Sequence, residues 1–101
     1  MKEPIHPTID QFCIETVLSA LGDPIRLRII RSLSHREETT CSCCNIDLPK
    51  SALSHHFKVL REAGLIRVRI EGKQRFLSIR YEELENRFPG LLTSVIENIE
   101  K

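Results

Sequence analysis

The sequence predicts a small, mainly helical domain finished by a two-stranded β-hairpin, and three observations predict it. Residues 49–80 place an amphipathic helix, a glycine stop and two alternating strands in direct succession. The chain has 101 residues at 41% hydrophobic content, enough for one core and no more. Only 5% of residues are aromatic and Trp is absent, so that core rests on Leu, Ile and Val. A helix that presents its outer face beside a hairpin is the arrangement of a winged helix-turn-helix, and residues 1–101 are expected to form a single domain of that kind.

The defining helix is read from its two faces. Leu53, Phe57, Leu60 and Ala63 recur at helical spacing as a buried stripe. Lys50, Ser51, Ser54, His55, Lys58 and Arg61 fall on the opposite side, a face of hydroxyls, an imidazole and cations that suits DNA. His56 neighbours Leu53 and Leu60 and is read as packed or backbone-bonded. Gly64 supplies a left-handed stop. Ile66, Val68 and Ile70 then alternate with Arg67, Arg69 and Glu71, Gly72-Lys73 turns the chain, and residues 74–80 return.

Upstream, residues 1–8 hold two prolines and no periodicity, and are expected to form an extended arm. Ile9, Phe12, Cys13, Thr16, Val17, Ala20 and Leu21 keep 3.6 spacing, which predicts one continuous first helix ended by Gly22. Asp23 caps the second, with Pro24 in its first turn. Its apolar rows point inward, and Arg26, Arg28 and Arg31 point to solvent or phosphate. Thr40 is the expected cap of a short third helix carrying Cys41, Cys43 and Cys44, although Thr39-Thr40 also suits a short extended pairing. The start of the DNA-facing helix is open by about two residues, with Asp47 or Pro49 at its cap. Residues 81–87 and 89–99 give two further helices, the last with more apolar surface than the core can cover, so the first and last helices are the expected dimer interface.

Charge is local. Residues 61–80 carry six cations against two acids, whereas residues 81–101 carry five acids against two cations. The basic stretch coincides with the hairpin, as a nucleic-acid surface requires. No apolar run approaches the roughly 20 residues that span a membrane, and the first ten residues are too polar for a signal peptide, so a cytoplasmic protein is expected. No paired carboxylates, phosphate-cradling glycine loop or framed nucleophile points to an enzyme.

The stretches LGDPIRLRIIRSL (21–33) and KSALSHHFKVLREAGLI (50–66), followed by an EGK turn, resemble the ArsR-type (arsenic-repressor-like) winged-helix regulators of bacteria over roughly residues 16–80. The resemblance implies a homodimer built on the first and last helices. It also implies a repressor that leaves double-stranded DNA when an inducer, often a thiophilic metal or an oxidant, occupies the dimer. The site of such a dimer is an inverted repeat. Ser51, Ser54 and His55 are the candidates for base edges; Lys58, Arg61, Lys73 and Arg75 are those for phosphates, with Lys50 at the start of the same face.

Cys41-x-Cys43 has the spacing of the family's arsenic and cadmium sensors, but their L-C-x-C-D-L frame reads here T-C-S-C-C-N-I-D-L. Three roles are open to the thiols. Cys41, Cys43 and Cys44 can hold As(III), with Cys13 or His6 completing a Cd(II) or Zn(II) site. They can act as redox sensors. They can also pack in the core, where free cysteine is common. No cofactor is required for the fold. The paired His and carboxylate zinc site that some relatives carry on the last helix is excluded, because that helix has no His. The reading from another class is a winged-helix module that binds an acidic protein partner without DNA sequence preference.

Overall fold

The computed structural model describes residues 4–40 and 46–99. Among them five α-helices and three strands follow a single 3-10 turn, Ile9–Gln11: α1 Ile14–Leu21, α2 Pro24–Ser34, β1 Thr39–Thr40, α3 Lys50–Glu62, β2 Ile66–Glu71, β3 Gln74–Ile79, α4 Tyr81–Arg87 and α5 Leu91–Ile99. None of these helices is long and apolar enough to cross a membrane.

The continuous first helix expected from Ile9 is broken. Phe12 and Cys13 are extended, and Cys13 becomes the N-cap of α1. The break buries the Phe12 ring, and one side chain takes up two of the carbonyls beside it. Arg87 donates from Nε to the Ile9 carbonyl (3.2 Å) and from its terminal nitrogen to that of Phe12 (2.8 Å). The Phe12 ring lies against Gly64, whose φ is +87°. A Cβ at Gly64 would stand 2.3 Å from the ring. One glycine thus serves the left-handed turn after α3 and the close approach of an aromatic ring.

α2 starts as its sequence dictates. The Asp23 carboxylate accepts from the backbone N–H groups of Ile25 (2.8 Å) and Arg26 (3.1 Å), and Pro24 occupies the first turn. The bond to Arg26 is the main reason the Asp23 carboxyl titrates below its usual range. Ile29, Ile30 and Leu33 are buried and meet Val17, Ala20, Leu60, Leu65, Ile66 and Leu77 in one hydrophobic cluster. Each fully buried Leu or Ile contributes about 1.5–3 kcal/mol of transfer free energy.

The β2–β3 hairpin is paired in register from Ile66↔Ile79 to Glu71↔Gln74, with Gly72 at φ +61° in its turn. Where a two-stranded wing was expected, the sheet has three strands in the order β1-β3-β2. Thr40, the expected cap of a third helix, instead pairs with Phe76, and Thr39 with Leu77. The helix expected over Cys41–Cys44 lies outside the described residues; Ile46 and Asp47 at its far end are in neither helix nor strand. Two straps hold the sheet to its surroundings. Arg69 stacks on Phe76 and makes a bidentate pair with Glu38 (3.0 and 2.8 Å), just ahead of β1. The N-terminal segment lies along β2, with His6 Nε2 accepting from the Val68 N–H at 2.9 Å.

Arg80, at the junction of β3 and α4, is the one buried charged residue among those described. Its guanidinium pairs with both carboxylate oxygens of Glu83 (2.8 and 2.7 Å), donates to the Pro7 carbonyl (2.8 Å) and lies over the Phe12 ring. That pairing, aided by Arg67, holds the Glu83 carboxyl below its ordinary range. Along α5, Leu92 is buried and Leu91, Val95, Ile96 and Ile99 are half-buried against the core. On α1, Ile14 and Leu18 remain 38% and 50% exposed.

Candidate nucleic-acid interface

α3 opens at Lys50, with Pro49 at the cap position and no side-chain cap. Asp47 does not take that role. The Pro49 carbonyl accepts from the N–H groups of Ala52 and Leu53, both at 3.1 Å, which closes the first turn without a polar side chain. Periodicity then sorts the faces. Leu60 and Ala63 are buried, whereas Lys50, Ser51, Ser54, His55 and Lys58 are exposed. Leu53 and Phe57, expected within the buried stripe, are only half-buried. They have moved from core to floor, because the hairpin stands off from this end of α3.

That stand-off makes a groove of about 540 Å³ between α3 and the sheet. Leu53 and Phe57 line it, together with Lys50, Ser54, Thr40, Lys73, Gln74 and Arg75. A second depression, about 210 Å³, continues beside it past Ser54, Phe57, Lys58, Arg61 and Arg75. Six of the eight residues expected to face DNA therefore surround two adjoining depressions that share Ser54 and Arg75. Ser51 and His55 lie exposed on the same helix outside them.

Arg61 is a special case. Its side chain is 20% exposed, its terminal nitrogen reaches Glu62 only at 3.8 Å, and its Nε is buried without a hydrogen-bond partner. A buried donor without an acceptor costs about 1–3 kcal/mol.

The remaining cations of residues 61–80 are committed elsewhere. Arg67 pairs with Glu83 at 3.3 Å, Arg69 with Glu38, and Arg80 is buried on Glu83. Charge counting along the sequence overstates the basic surface, because acids outside the stretch, Glu38 and Glu83, engage three of its six cations. Arg26 is a second correction. Expected to face solvent or phosphate, it turns back to donate to the carbonyls of Ala20 (2.6 Å) and Ser19 (3.3 Å), capping the C-terminal end of α1. It also reaches His56 Nδ1 at 3.2 Å, so His56 is half-buried at a joint between helices.

Sequence reasoning missed the structural work of Arg80, Arg87 and Glu38. A signal existed for Arg80, since Glu83 stands three residues later at the opening of a helix. For Glu38 there was none without the strand register. Of the candidate sensor residues, Cys41, Cys43 and Cys44 lie outside the described residues. Cys13 is half-buried at the cap of α1, where its thiol donates to Glu15 at 3.2 Å and lowers that carboxyl's titration. His6 already spends Nε2 on Val68. Among the described residues, no three His, Cys, Asp or Glu side chains cluster as a metal site.

Comparison with known proteins adds a second line of observation. Residues 23–68 match the family described as bacterial regulatory protein, arsR family. The chain is 37% identical over 84 residues to YceK, an uncharacterised HTH-type transcriptional regulator of Bacillus subtilis, covering 78% of this chain and 82% of that one. It is 32% identical over 73 residues to the arsenical resistance operon repressor of Staphylococcus xylosus, covering 71% and 70%. The crystal structure of an ArsR family transcriptional regulator has the same fold. It superposes with a TM-score of 0.67 over 96% of this chain and 98% of that one, at 23% identity.

Proposed function

Because the chain belongs to the arsR family, whose members are DNA-binding transcriptional regulators and not enzymes, we propose that it is a homodimeric, sequence-specific repressor released from its operator by an inducer sensed through thiols. The observation that carries the reading is the groove between α3 and the hairpin, where Lys50, Ser54, Lys73 and Arg75 converge over an apolar floor. In this reading α3 enters the major groove of double-stranded DNA and the hairpin acts as the wing. Ser51, Ser54 and His55 meet base edges, while Lys50, Lys58, Arg61, Lys73 and Arg75 hold phosphates. Arg61 lines the second depression beside Lys58 and Arg75, which supports its place among the phosphate contacts.

The dimer would form on the exposed Ile14 and Leu18 of α1 and the half-buried apolar face of α5. Two copies of α3 then address successive major grooves about 34 Å apart, which selects an inverted repeat. Cys41, Cys43 and Cys44 provide three soft donors within four residues, a set suited to As(III), with Cys13 as a further thiol for Cd(II) or Zn(II). A bound thiophilic ion would draw these thiolates together; a mild oxidant would act on the same sulfurs. Work in the cytoplasm fits both DNA and reduced thiols.

The test is fluorescence anisotropy of the reduced, metal-free protein on DNA from upstream of its own gene, followed by As(III), Cd(II), Zn(II) and a mild oxidant in turn. Tight, salt-sensitive binding released by one addition is expected. Ser54→Ala with His55→Ala should abolish selectivity and leave the dimer intact, and Cys41→Ser should bind DNA but ignore the inducer. Full operator preference in the first variant removes the assigned reading face, and an unchanged response in the second removes Cys41 as a sensor. Absence of DNA binding in the wild type would leave a protein-interaction module as the better reading.

A further inference from the structure

Arg26 and His56 make a polar connection between the α1–α2 body and the inner side of α3. Arg26 holds the last carbonyls of α1 with Nε and one terminal nitrogen, and offers the other to His56 Nδ1 at 3.2 Å. A guanidinium has only donors, so the bond exists only if Nδ1 is the acceptor, which requires a neutral imidazole carrying its proton on Nε2. A second proton turns Nδ1 into a donor and sets two cations face to face. We propose that Arg26, acting through His56, is a positioning residue for α3, that this joint closes only on a neutral imidazole, and that DNA binding is consequently lost on acidification. The inference rests on the reading that α3 enters DNA.

Charged and titratable groups surround the joint on every element packed against it. From α2, the groups facing His56 are Arg26 and, at the helix cap, Asp23, whose carboxylate senses the charges of both. Asp23 attracts an imidazolium by charge, and both of its backbone bonds, to Ile25 and Arg26, fall on Oδ1; that attraction does not restore the Arg26 bond, whose acceptor is lost once Nδ1 is protonated. The carboxylate of α1, Glu15, lies at the other end of that helix and holds the Cys13 thiol. On β2, Arg67 is paired with Glu83, and Arg69 with Glu38 and Glu71. On α3 itself the neighbouring ring is His55, 5.9 Å between centroids, and a second imidazolium there adds repulsion.

The direction of the effect is diagnostic. Acid ordinarily strengthens a protein's hold on phosphates, because exposed histidines gain charge. A loss of affinity therefore runs against the general trend and needs a specific joint. The experiment measures anisotropy of the full chain on the tightest duplex it selects from a random pool, at constant ionic strength, from about pH 8 to about pH 5.5 across the histidine range. The wild type is expected to weaken by about tenfold or more, as the loss of a hydrogen bond to a charged group implies. His56→Asn places an amide oxygen near the site of Nδ1, accepts from Arg26 and does not titrate, so it should match the wild type at pH 8 and keep its affinity in acid. His56→Leu should be weak at both ends. Wild-type affinity that holds at pH 5.5, or a His56→Asn variant that falls in parallel with the wild type, overturns the joint. No selective binding by the wild type at pH 8 overturns the reading beneath it, and the joint with it.

Discussion

Arg80→Met removes the guanidinium on which the chain's N-terminal segment, the end of the hairpin and α4 converge. The Arg80 side chain is 4% exposed and bonds to Glu83 twice and to the Pro7 carbonyl once. Breaking a buried pair from one side costs about 3–5 kcal/mol. Here the carboxylate left behind is 34% exposed and keeps Arg67 at 3.3 Å, and Met preserves a stem over Phe12. The low end applies, about 3 kcal/mol. At roughly 4–8 °C per kcal/mol for a domain of this size, the melting temperature should fall by about 12–24 °C at a fixed protomer concentration. Glu83 supplies an independent check of sign. Its carboxyl titrates below the ordinary value of 4.5 in the folded chain, first because of Arg80. The stabilisation is therefore complete above that value and disappears as pH falls through the lowered one. The gap between wild type and variant in urea titrations should be widest near neutrality and narrow in acid. A loss under about 1 kcal/mol, or a gap indifferent to acid, would refute this account of Arg80.

Gly64→Ala should destabilise by about 3 kcal/mol, combining left-handed strain with a Cβ pressed on the Phe12 ring; a wild-type thermal melt would contradict that contact. Glu38→Gln should cost under about 1 kcal/mol in urea, because the pair with Arg69 is partly exposed, the Arg69 side chain by 40%. Since Arg69 lowers the Glu38 carboxyl, this small contribution is present at neutral pH and vanishes in acid. Lys73→Ala should weaken binding to all sequences alike and reduce the salt slope of the dimer by about 2, one phosphate contact per protomer. A change in base preference would move Lys73 to the reading face.

Local rules made much of the molecule legible in advance. Asp23-Pro24 opens α2, Gly64 ends the turn after α3, and strict alternation sets the hairpin, because each rests on residues adjacent in the chain. α4 starts at Tyr81 as expected, whereas α5 starts at Leu91 and not at Pro89, with Gly90 between them at φ +80°. What escaped depended on partners far away. Apolar spacing runs unbroken through Phe12 and Cys13, yet the backbone is extended there, since burying Phe12 on Gly64 and satisfying its carbonyl with Arg87 outweigh one more helical turn. The candidate site divides in the same way. Periodicity identified the outer face of α3, but only the fold distinguishes Lys73 and Arg75 at the groove from Arg67, Arg69 and Arg80, which are held by Glu83 and Glu38. Arg26 was misread for the same reason, because its acceptors lie six, seven and thirty residues away.

A hydroxyl-radical footprint of the reduced protein on its selected duplex tests the central claim most directly. A pair of α3 helices reading an inverted repeat predicts two protected segments on one face of the DNA, about one helical turn apart, and their joint disappearance with Ser54→Ala and His55→Ala. A single protected segment, a uniform ladder, or a footprint unchanged by the double substitution would contradict it.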